Sequence, residues 1–246
     1  VLADDFFQKT QGFIDSITQA SYLGDFLREM PDQSKIHYQA NSSTSSLGYI
    51  SRNNNLSVMT GRLRGLHNGN YLGVIFNQKN LRFGHITSEV STYSNSNTKW
   101  FGRGDAKLSL FINETFLELN VIQLASFEFS MGYLINSTNV DNFSEQGSSV
   151  NLSYKDNTFN YHAKFLKFNY GVDFNDFSIN LSGGKRDQMQ HQRFYMSSQD
   201  GLVFQSEGNI SNEYLSFNIV RDFYYFQAIK GSNSDMKFVG GIQVNF

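Results

Sequence analysis

The sequence contains no cysteine, a single proline, and no long run of apolar residues. A transmembrane α-helix needs about 20 consecutive apolar residues, so this chain could cross a membrane only as a closed β-barrel. The absence of cysteine excludes disulfides and thiolate metal sites, and it agrees with export through a bacterial envelope. The scarcity of proline is compatible with long strands, because proline cannot donate to a strand ladder.

Net charge is also low, at −2, which argues against nucleic acid as a partner. Hydrophobic residues make up only 39% of the chain, yet it contains 24 Phe and 13 Tyr. Lipid-facing strands and the two aromatic girdles of a membrane barrel would place such residues without a large interior. The composition therefore favours a barrel in the bacterial outer membrane, surrounded by outer-membrane lipid.

The first residues, Val1 to Phe6, have neither the basic segment nor the apolar core of a signal peptide. Because an outer-membrane protein must be exported, we expect this sequence to be a mature or excised part of a longer precursor.

Residues 1–31 show a helical pattern that is absent from the rest of the chain. Acidic residues at Asp4 and Asp5 favour a helix start, apolar residues recur at threes and fours, and Pro31 ends the pattern. A helix that caps a soluble sheet is the alternative. The pattern predicts one amphipathic linker or pore helix, with apolar positions that include Phe6, Phe13 and Ile17 and charged positions that include Asp15, Asp25, Arg28 and Glu29.

From residue 32 to residue 246 the period changes to two, which is typical of β-strands. The last strand is the cleanest: Phe238, Ile242 and Phe246 fall on one face, and Asp235 and Lys237 fall on the other. We expect this strand to pair with the first strand near Lys35 and close the barrel. The predicted fold is an all-β transmembrane antiparallel barrel of 12 strands, with the N-terminal α-helix inside the lumen.

Tight turns and longer polar loops alternate along the pattern, as in outer-membrane barrels. The sequence predicts tight turns at Asn113-Glu114 and Asp156-Asn157, and polar loops at residues 94–98, 136–148 and 185–192.

Charged and polar residues that alternate with apolar ones are expected to line the lumen and, in some cases, to contact the helix. Since the apolar row of each strand is assigned to lipid, the lumen-facing candidates are Lys107, Glu118, Glu128, Lys155, His162, Lys164 and Lys237.

Enzymatic chemistry has little support in the sequence. A barrel lipase would need a histidine near a serine, and His85 with Ser88 is the nearest approach; a barrel protease could use Asp187 with His191. The five histidines show no metal-ligand spacing. We therefore expect no catalytic residues, no metal and no cofactor.

The layout of a helix, a twelve-stranded barrel and an aromatic end resembles the C-terminal translocator unit of type Va autotransporters. Gly241, Val244 and Phe246 match the terminal signal read by the outer-membrane assembly machinery, whereas Val239 stands where that signal prefers a polar residue. The resemblance implies type V secretion: a monomeric barrel exports a covalently linked upstream passenger to the cell surface, and the helix then plugs the pore. The alternative is a small porin or channel whose first 31 residues are periplasmic.

Overall fold

The structure is a computed structural model that describes residues 2–28, 35–41, 43–197, 202–221, 224–231 and 236–245. Within these ranges it has two consecutive helices, α1 (Leu2–Ser21) and α2 (Leu23–Arg28). The strands that follow are β1 (Lys35–Ala40), β2 (Thr44–Asn53), β3 (Leu56–Gly65), β4 (His67–Gln78), β5 (Leu81–Thr98), β6 (Gly102–Gln123), β7 (Phe127–Val140), β8 (Phe143–Ser144), β9 (Ser153–Asp173), β10 (Ser178–Ser197), β11 (Leu202–Arg221), β12 (Tyr224–Gly231) and β13 (Lys237–Asn245).

Twelve of these strands form a closed antiparallel barrel. Neighbours along the chain pair with one another, and β1 pairs with β13 from Lys35↔Asn245 to Ala40↔Gly240, which closes the ring. The two-residue strand β8 pairs with the side of β9 and is not part of the ring. The predicted all-β barrel of 12 strands and its closing pair are therefore confirmed.

The barrel wall is much taller on one side. Strands β5, β6, β9, β10 and β11 have 18 to 22 residues, whereas β1 to β4, β12 and β13 have 6 to 12. At about 3.3 Å per residue, the longest strand spans roughly 70 Å, more than a bilayer's thickness. We call β5, β6, β7, β9, β10 and β11 the tall wall.

Several predicted turns and loops are in fact parts of these long strands. Asn113-Glu114 lies in the middle of β6, and residues 94–98 and 185–192 lie within β5 and β10. Asp156-Asn157 lies within β9, where Asp156 has a φ of 50° and marks an irregularity rather than a hairpin. These residues were predicted to be turns and loops because they are polar. A strand that extends beyond the lipid needs no apolar face, so polar residues there do not indicate a turn.

Each strand has an outward face and an inward face. The outward face carries exposed apolar residues that form a belt around the barrel, a distribution typical of membrane barrels. Examples from six strands are Tyr49, Val74, Leu117, Tyr133, Leu181 and Phe217. Neither helix among the described residues is long and apolar enough to span a membrane.

The two ends of the barrel differ. At the end where β1 begins, tight connections include those at Asn54 and Lys79, both with positive φ; we call this the turn end. At the opposite end lies the long segment of residues 141–152, between β7 and β9, with β8 inside it; we call this the loop end. The last residue of α2, Arg28, lies beside Arg82 near the turn end, which is also the end where β1 begins at Lys35.

Candidate functional site

The two helices run through the barrel from the loop end to the turn end. Lys9, in the second turn of α1, contacts the segment at the loop end, and Arg28, the last residue of α2, accepts a hydrogen bond through its carbonyl from Arg82 near the turn end (2.7 Å). The helix contacts inward-facing residues of β5, β6, β7 and β9. The candidate functional site is therefore the set of contacts that hold this helix inside the barrel.

A close backbone approach fixes the middle of α1 against β5. The Ser94 hydroxyl donates to the Gly12 carbonyl (3.1 Å) and lies 2.7 Å from the Ser16 hydroxyl. A Cβ atom at Gly12 would lie 2.4 Å from the Asn95 carbonyl oxygen, closer than any packed side chain allows. Glycine at this position lets the helix lie directly on the strand.

At the loop end, a buried lysine ties α1 to the segment of residues 141–152. The Lys9 ammonium lies 3.1 Å from a Glu145 carboxylate oxygen, and both side chains are fully buried. It also donates to the Ser148 hydroxyl and to the Val150 carbonyl (3.4 Å). Glu145 in turn accepts from the Leu152 amide (2.8 Å). We call these five residues the Lys9 anchor.

Burial raises the pKa of Glu145 above its usual range, and the hydrogen bond and charge of Lys9 partly oppose that rise. Desolvation is the largest contribution, so the ionised carboxylate is held at some cost and depends on its lysine partner.

Below the Lys9 anchor, aromatic packing continues the contact. The Phe13 ring meets the Phe143 and Tyr154 rings edge-on at 5.3 and 5.4 Å, and those two rings stack on each other at 4.6 Å. Ile17 and Leu27 are fully buried further down the helix. Because these contacts are apolar, the inward face of the tall wall must itself carry apolar residues.

Near the turn end, charged residues of the helix meet charged residues of the wall. An Arg28 nitrogen donates to the Glu114 carboxylate (2.9 Å), and a second donates to Asp25 (3.0 Å). Arg186 of β10 donates to the other oxygen of Asp25. A Cβ atom at Gly24 would lie 2.4 Å from a Glu114 oxygen, so glycine gives this carboxylate its space.

The same network continues across the wall. The Tyr161 hydroxyl donates to Glu114 (3.3 Å). Arg82 carries a second branch, with an ion pair to Glu118 (3.6 Å), which accepts from Ser130 (2.8 Å). The full set, which we call the Glu114 network, contains three cations and three anions: Arg28, Arg82, Arg186, Asp25, Glu114 and Glu118. Buried charges are tolerated when they are paired in this way.

One face of α1 is exposed. Its polar residues recur at helical spacing, at Asp4, Gln8, Asp15 and Gln19, and the exposed Phe7 lies at its edge. The Asp15 carboxylate accepts only from the neighbouring Gln11 amide (2.6 Å) among the bonds seen here. The helix therefore lies against one side of the barrel with a polar face turned away from it.

The predicted helix residues fall into three groups. Phe13 and Ile17 are buried, and Asp25 and Arg28 join the Glu114 network. Asp15 lies on the exposed face and reaches no wall residue in the bonds seen here. Phe6 lies in α1, but its side chain is outside the described residues, as is Glu29 entirely.

The predicted lumen-facing residues divide by strand face. Glu118 faces inward, and Glu128 has the same parity as the inward-facing Ser130. Lys107, Lys155, His162 and Lys164 alternate with buried neighbours and lie on the outward face, contrary to the prediction. The Lys237 side chain is not described.

The physical reason for this correction is the helix. The apolar rows Ala106 to Ile112 of β6 and Phe159 to Phe165 of β9 are not directed to lipid; they face inward. Phe159 meets the Tyr22 ring at 6.4 Å, and Phe165 lies under the Arg28 guanidinium at 5.5 Å. An inserted amphipathic helix needs apolar partners, so the alternate polar residues are turned outward.

The sequence analysis missed five charged residues of the site: Lys9, Arg82, Glu114, Glu145 and Arg186. Glu114 carried a signal, because a carboxylate within the inward apolar row that includes Ile112 is unusual without a partner. It was instead predicted to lie in a tight turn, and Arg186 was predicted to lie in a polar loop. Lys9, Arg82 and Glu145 are isolated charges in polar surroundings and gave no such signal.

The three residues of the predicted assembly signal lie at the barrel seam or beyond the described residues. Gly241 of β13 accommodates the Tyr225 ring, since a Cβ atom there would lie 2.2 Å from it. Tyr225 uses its hydroxyl to donate to Gln39 of β1 (3.1 Å), across the seam. Val244 pairs with Ile36, and Phe246 is outside the described residues.

Of the two candidate catalytic pairs, one lies on opposite faces of its strand and the other lies on a single face. His85 is exposed and lies beside the Thr115 hydroxyl (2.8 Å), whereas Ser88 is buried on the opposite strand face. Asp187 and His191 share the outward face of β10, where His191 lies 3.2 Å from Glu207. Within the described part of the chain, no group of three or more histidine or acidic residues could hold a metal ion.

Comparisons with known proteins add little to this geometry. No family model matches the chain, and no curated protein matches it. Among solved structures, the chain is similar to the P pilus usher (PapC) translocation pore, with 7% identity and a TM-score of 0.17, over 87% of this chain and 74% of that one. That score is too low for us to draw any conclusion from the likeness.

Proposed function

We propose that this protein is an outer-membrane translocator of the type V secretion class, which exports an upstream passenger to the cell surface and is then plugged by its own helix. The observation that carries the proposal is the path of the chain: it passes through a closed barrel from the loop end to the turn end before the first strand begins. Any polypeptide attached upstream would therefore emerge at the loop end.

Orientation in the membrane follows from the same path. Outer-membrane barrels have short turns on the periplasmic side and longer connections outside. The tight connections at Asn54 and Lys79, and the long segment of residues 141–152 at the opposite end, support a periplasmic turn end with the tall wall extending outward. An upstream passenger would lie at the surface.

The Lys9 anchor and the Glu114 network explain how the helix would stay in place after export. Both are buried and charge-balanced, so withdrawal of the helix would leave Glu145 and Glu114 without their cations. Breaking a buried pair in this way costs about 3–5 kcal/mol. The mechanism that we propose is physical, without a catalytic step or a cofactor, and its working unit is a monomeric barrel.

The proposal is tested by export itself. A signal peptide and an epitope-tagged reporter would be fused upstream of Val1 and expressed in cells with an outer membrane. We expect protease added to intact cells to remove the reporter while the barrel stays resistant. A control reporter fused to a signal peptide alone should be protected, and protection of the barrel-fused reporter would contradict the proposal.

A small channel is the second candidate, favoured by the exposed polar face of α1 at Asp4, Gln8, Asp15 and Gln19. Such a face could leave an aqueous path beside the helix. A channel predicts that the upstream reporter stays in the periplasm and that the intact protein conducts ions with the helix in place.

A further inference from the structure

The outward face of the tall wall has an apolar groove with charged residues at one end. The groove has a volume of about 510 Å³, and Gly132 and Phe165 form part of its lining. Its sides are two cross-strand rows that run over β6, β7, β9 and β10. The first row is Leu117, Tyr133, Lys164 and Asp187, and the second is Leu119, Met131, Leu166 and Lys185.

Both rows change from apolar to charged in the same direction. Leu119 lies five positions before Leu124, where the turn-end connection begins, whereas Lys185 lies eight positions after Phe177 at the next turn-end connection. The charged end of the groove is therefore higher on the barrel. On β9 and β10 the outward residues below the lysines, such as Leu166 and Leu181, are apolar, whereas His162 and His191 above them are polar and Met189 is apolar. The lysines therefore lie where the apolar belt begins to give way to polar residues.

The charged end of the groove is lined by Lys164, Lys185 and Asp187. Asp187 accepts from the Ser211 hydroxyl (2.7 Å) and lies 4.0 Å from Lys185, at the limit of an ion pair. Glu213 faces Lys185 across β10 and β11 and weakens it as an anion site. Lys164 is exposed and stands beside the Tyr133 phenol in the next strand.

Lys164 and Lys185 are diagonal neighbours, since Lys164 pairs with Asp187 and Lys185 with Leu166. Diagonal positions in an antiparallel pair are about 7–8 Å apart, within reach of two flexible side chains. One phosphate group between them could accept from both ammonium groups, and the Tyr133 hydroxyl is a further donor nearby.

We infer that this groove binds one phospholipid with a net anionic phosphate headgroup, with an acyl chain along the leucine and methionine residues and the phosphate held by Lys164 and Lys185. The occupant is a lipid because the groove opens on the apolar belt and its charged end coincides with the edge of that belt. A soluble anion would gain nothing from Leu117, Leu119 and Met131, which are each nearly half exposed.

Native mass spectrometry of the folded protein in a neutral detergent tests the inference. The probes are dimyristoyl phosphatidic acid, whose phosphomonoester is anionic, a phosphatidylcholine with the same chains, whose phosphate is balanced by its choline cation, and inorganic phosphate. We expect retention of phosphatidic acid at least fivefold above phosphatidylcholine, reduced to their common level by the paired change Lys164→Gln and Lys185→Gln. Equal retention of the two lipids by the unaltered protein would overturn the inference.

A matched control is Lys107→Gln, which removes another outward lysine from β6 outside the groove. It should leave the lipid preference unchanged; an equal loss would mean that any surface lysine suffices and would overturn the site. Full displacement of phosphatidic acid by an equal concentration of inorganic phosphate would overturn the acyl-chain contact.

A second variant tests the groove itself. Met131→Trp fills it, and we expect retention of both lipids to fall at least threefold, whereas Leu72→Trp on the outward face of β4 should leave retention unchanged. Heat-dependent gel mobility would verify that each variant forms a folded barrel. Unchanged retention in folded Met131→Trp would contradict the proposed position of the acyl chain.

Discussion

At the residue scale, Arg28 and Glu114 form a buried ion pair between α2 and the tall wall, with side chains 10% and 1% exposed. Glu114 also accepts a hydrogen bond from Tyr161, and Arg28 also donates one to Asp25. Loss of either partner leaves an unpaired charge inside the barrel, which is far more costly than loss of both.

We therefore expect Arg28→Met and Glu114→Gln each to lower the free energy of unfolding by about 3 kcal/mol. The double variant should lose less than the sum, because it leaves neither charge unpaired. Urea unfolding in detergent micelles measures this. Arg103→Met, in an exposed pair with Asp105, is the control, with an expected loss of about 0–1 kcal/mol. Strict additivity of the two buried changes would contradict the pairing.

The substitution Gly12→Ala distinguishes the effect of packing against β5 from the effect of intrinsic helix propensity, because the two change the stability of α1 in opposite directions. Gly12→Ala should favour an isolated helix by about 0.5–1 kcal/mol. In the barrel, however, the added Cβ atom would meet the Asn95 carbonyl oxygen at 2.4 Å and push α1 away from β5. We expect faster amide hydrogen exchange in α1, and no such increase for Gln19→Ala on the exposed face. Slower exchange in Gly12→Ala would show that the helix does not lie on β5.

The raised pKa of Glu145 predicts that the stability of the loop-end segment, residues 141–152, depends on pH. Because burial raises its pKa in the folded state, the stability linked to this group is full below the unfolded pKa of about 4.3. It is lost as pH rises through the folded pKa. Protection of residues 141–152 from protease should therefore fall as pH increases from 4 to 7, and Glu145→Gln should flatten the profile. Protection that rises with pH would mean that the charge of Lys9 dominates.

At the element scale, the sequence predicted the helix, the closing strand and the number of strands, because each depends on local periodicity or on the closure of a ring. It did not predict which face of β6 and β9 points to lipid. Both faces of those strands carry apolar residues, one set for lipid and one for the helix. Alternation alone shows that a strand has two faces, but it does not show which face points to the lumen. Lys107 and Lys164 were assigned to the lumen for this reason.

Because the chain has no cysteine, single introduced cysteines can report which face of a strand is exposed to solvent. We expect a cysteine at Lys107 to react rapidly with a polar maleimide in the folded protein, whereas a cysteine at Leu108 should react only after unfolding. Equal labelling of the two variants in denaturant is the control. Rapid labelling at position 108 and protection at 107 would reverse the face assigned to β6.

The candidate site was predicted only in part. Asp25 and Arg28 were expected to contact the wall, but their partners Glu114 and Arg186 were not found, since pairing across 86 and 161 positions of sequence depends on barrel register. The Lys9 anchor depends in addition on how residues 141–152 fold over the loop end. Such contacts are set by tertiary structure and leave little local pattern.

At the scale of the whole molecule, the barrel and the helix depend on each other. The wall supplies the apolar rows and the paired charges, and the helix occupies the space that they enclose. A twelve-strand barrel is wider than an eight-strand barrel, whose interior side chains alone can fill. Removal of the helix should therefore leave a water-filled pore lined by Glu114, Glu118, Arg82 and Arg186.

Planar-bilayer conductance of the intact protein and of a variant lacking residues 1–31 tests this account most directly. We expect a small current from the intact protein and a current at least several times larger from the shortened one, after gel mobility has shown that both are folded. Equal currents from the two folded proteins would contradict the claim that the helix closes the barrel.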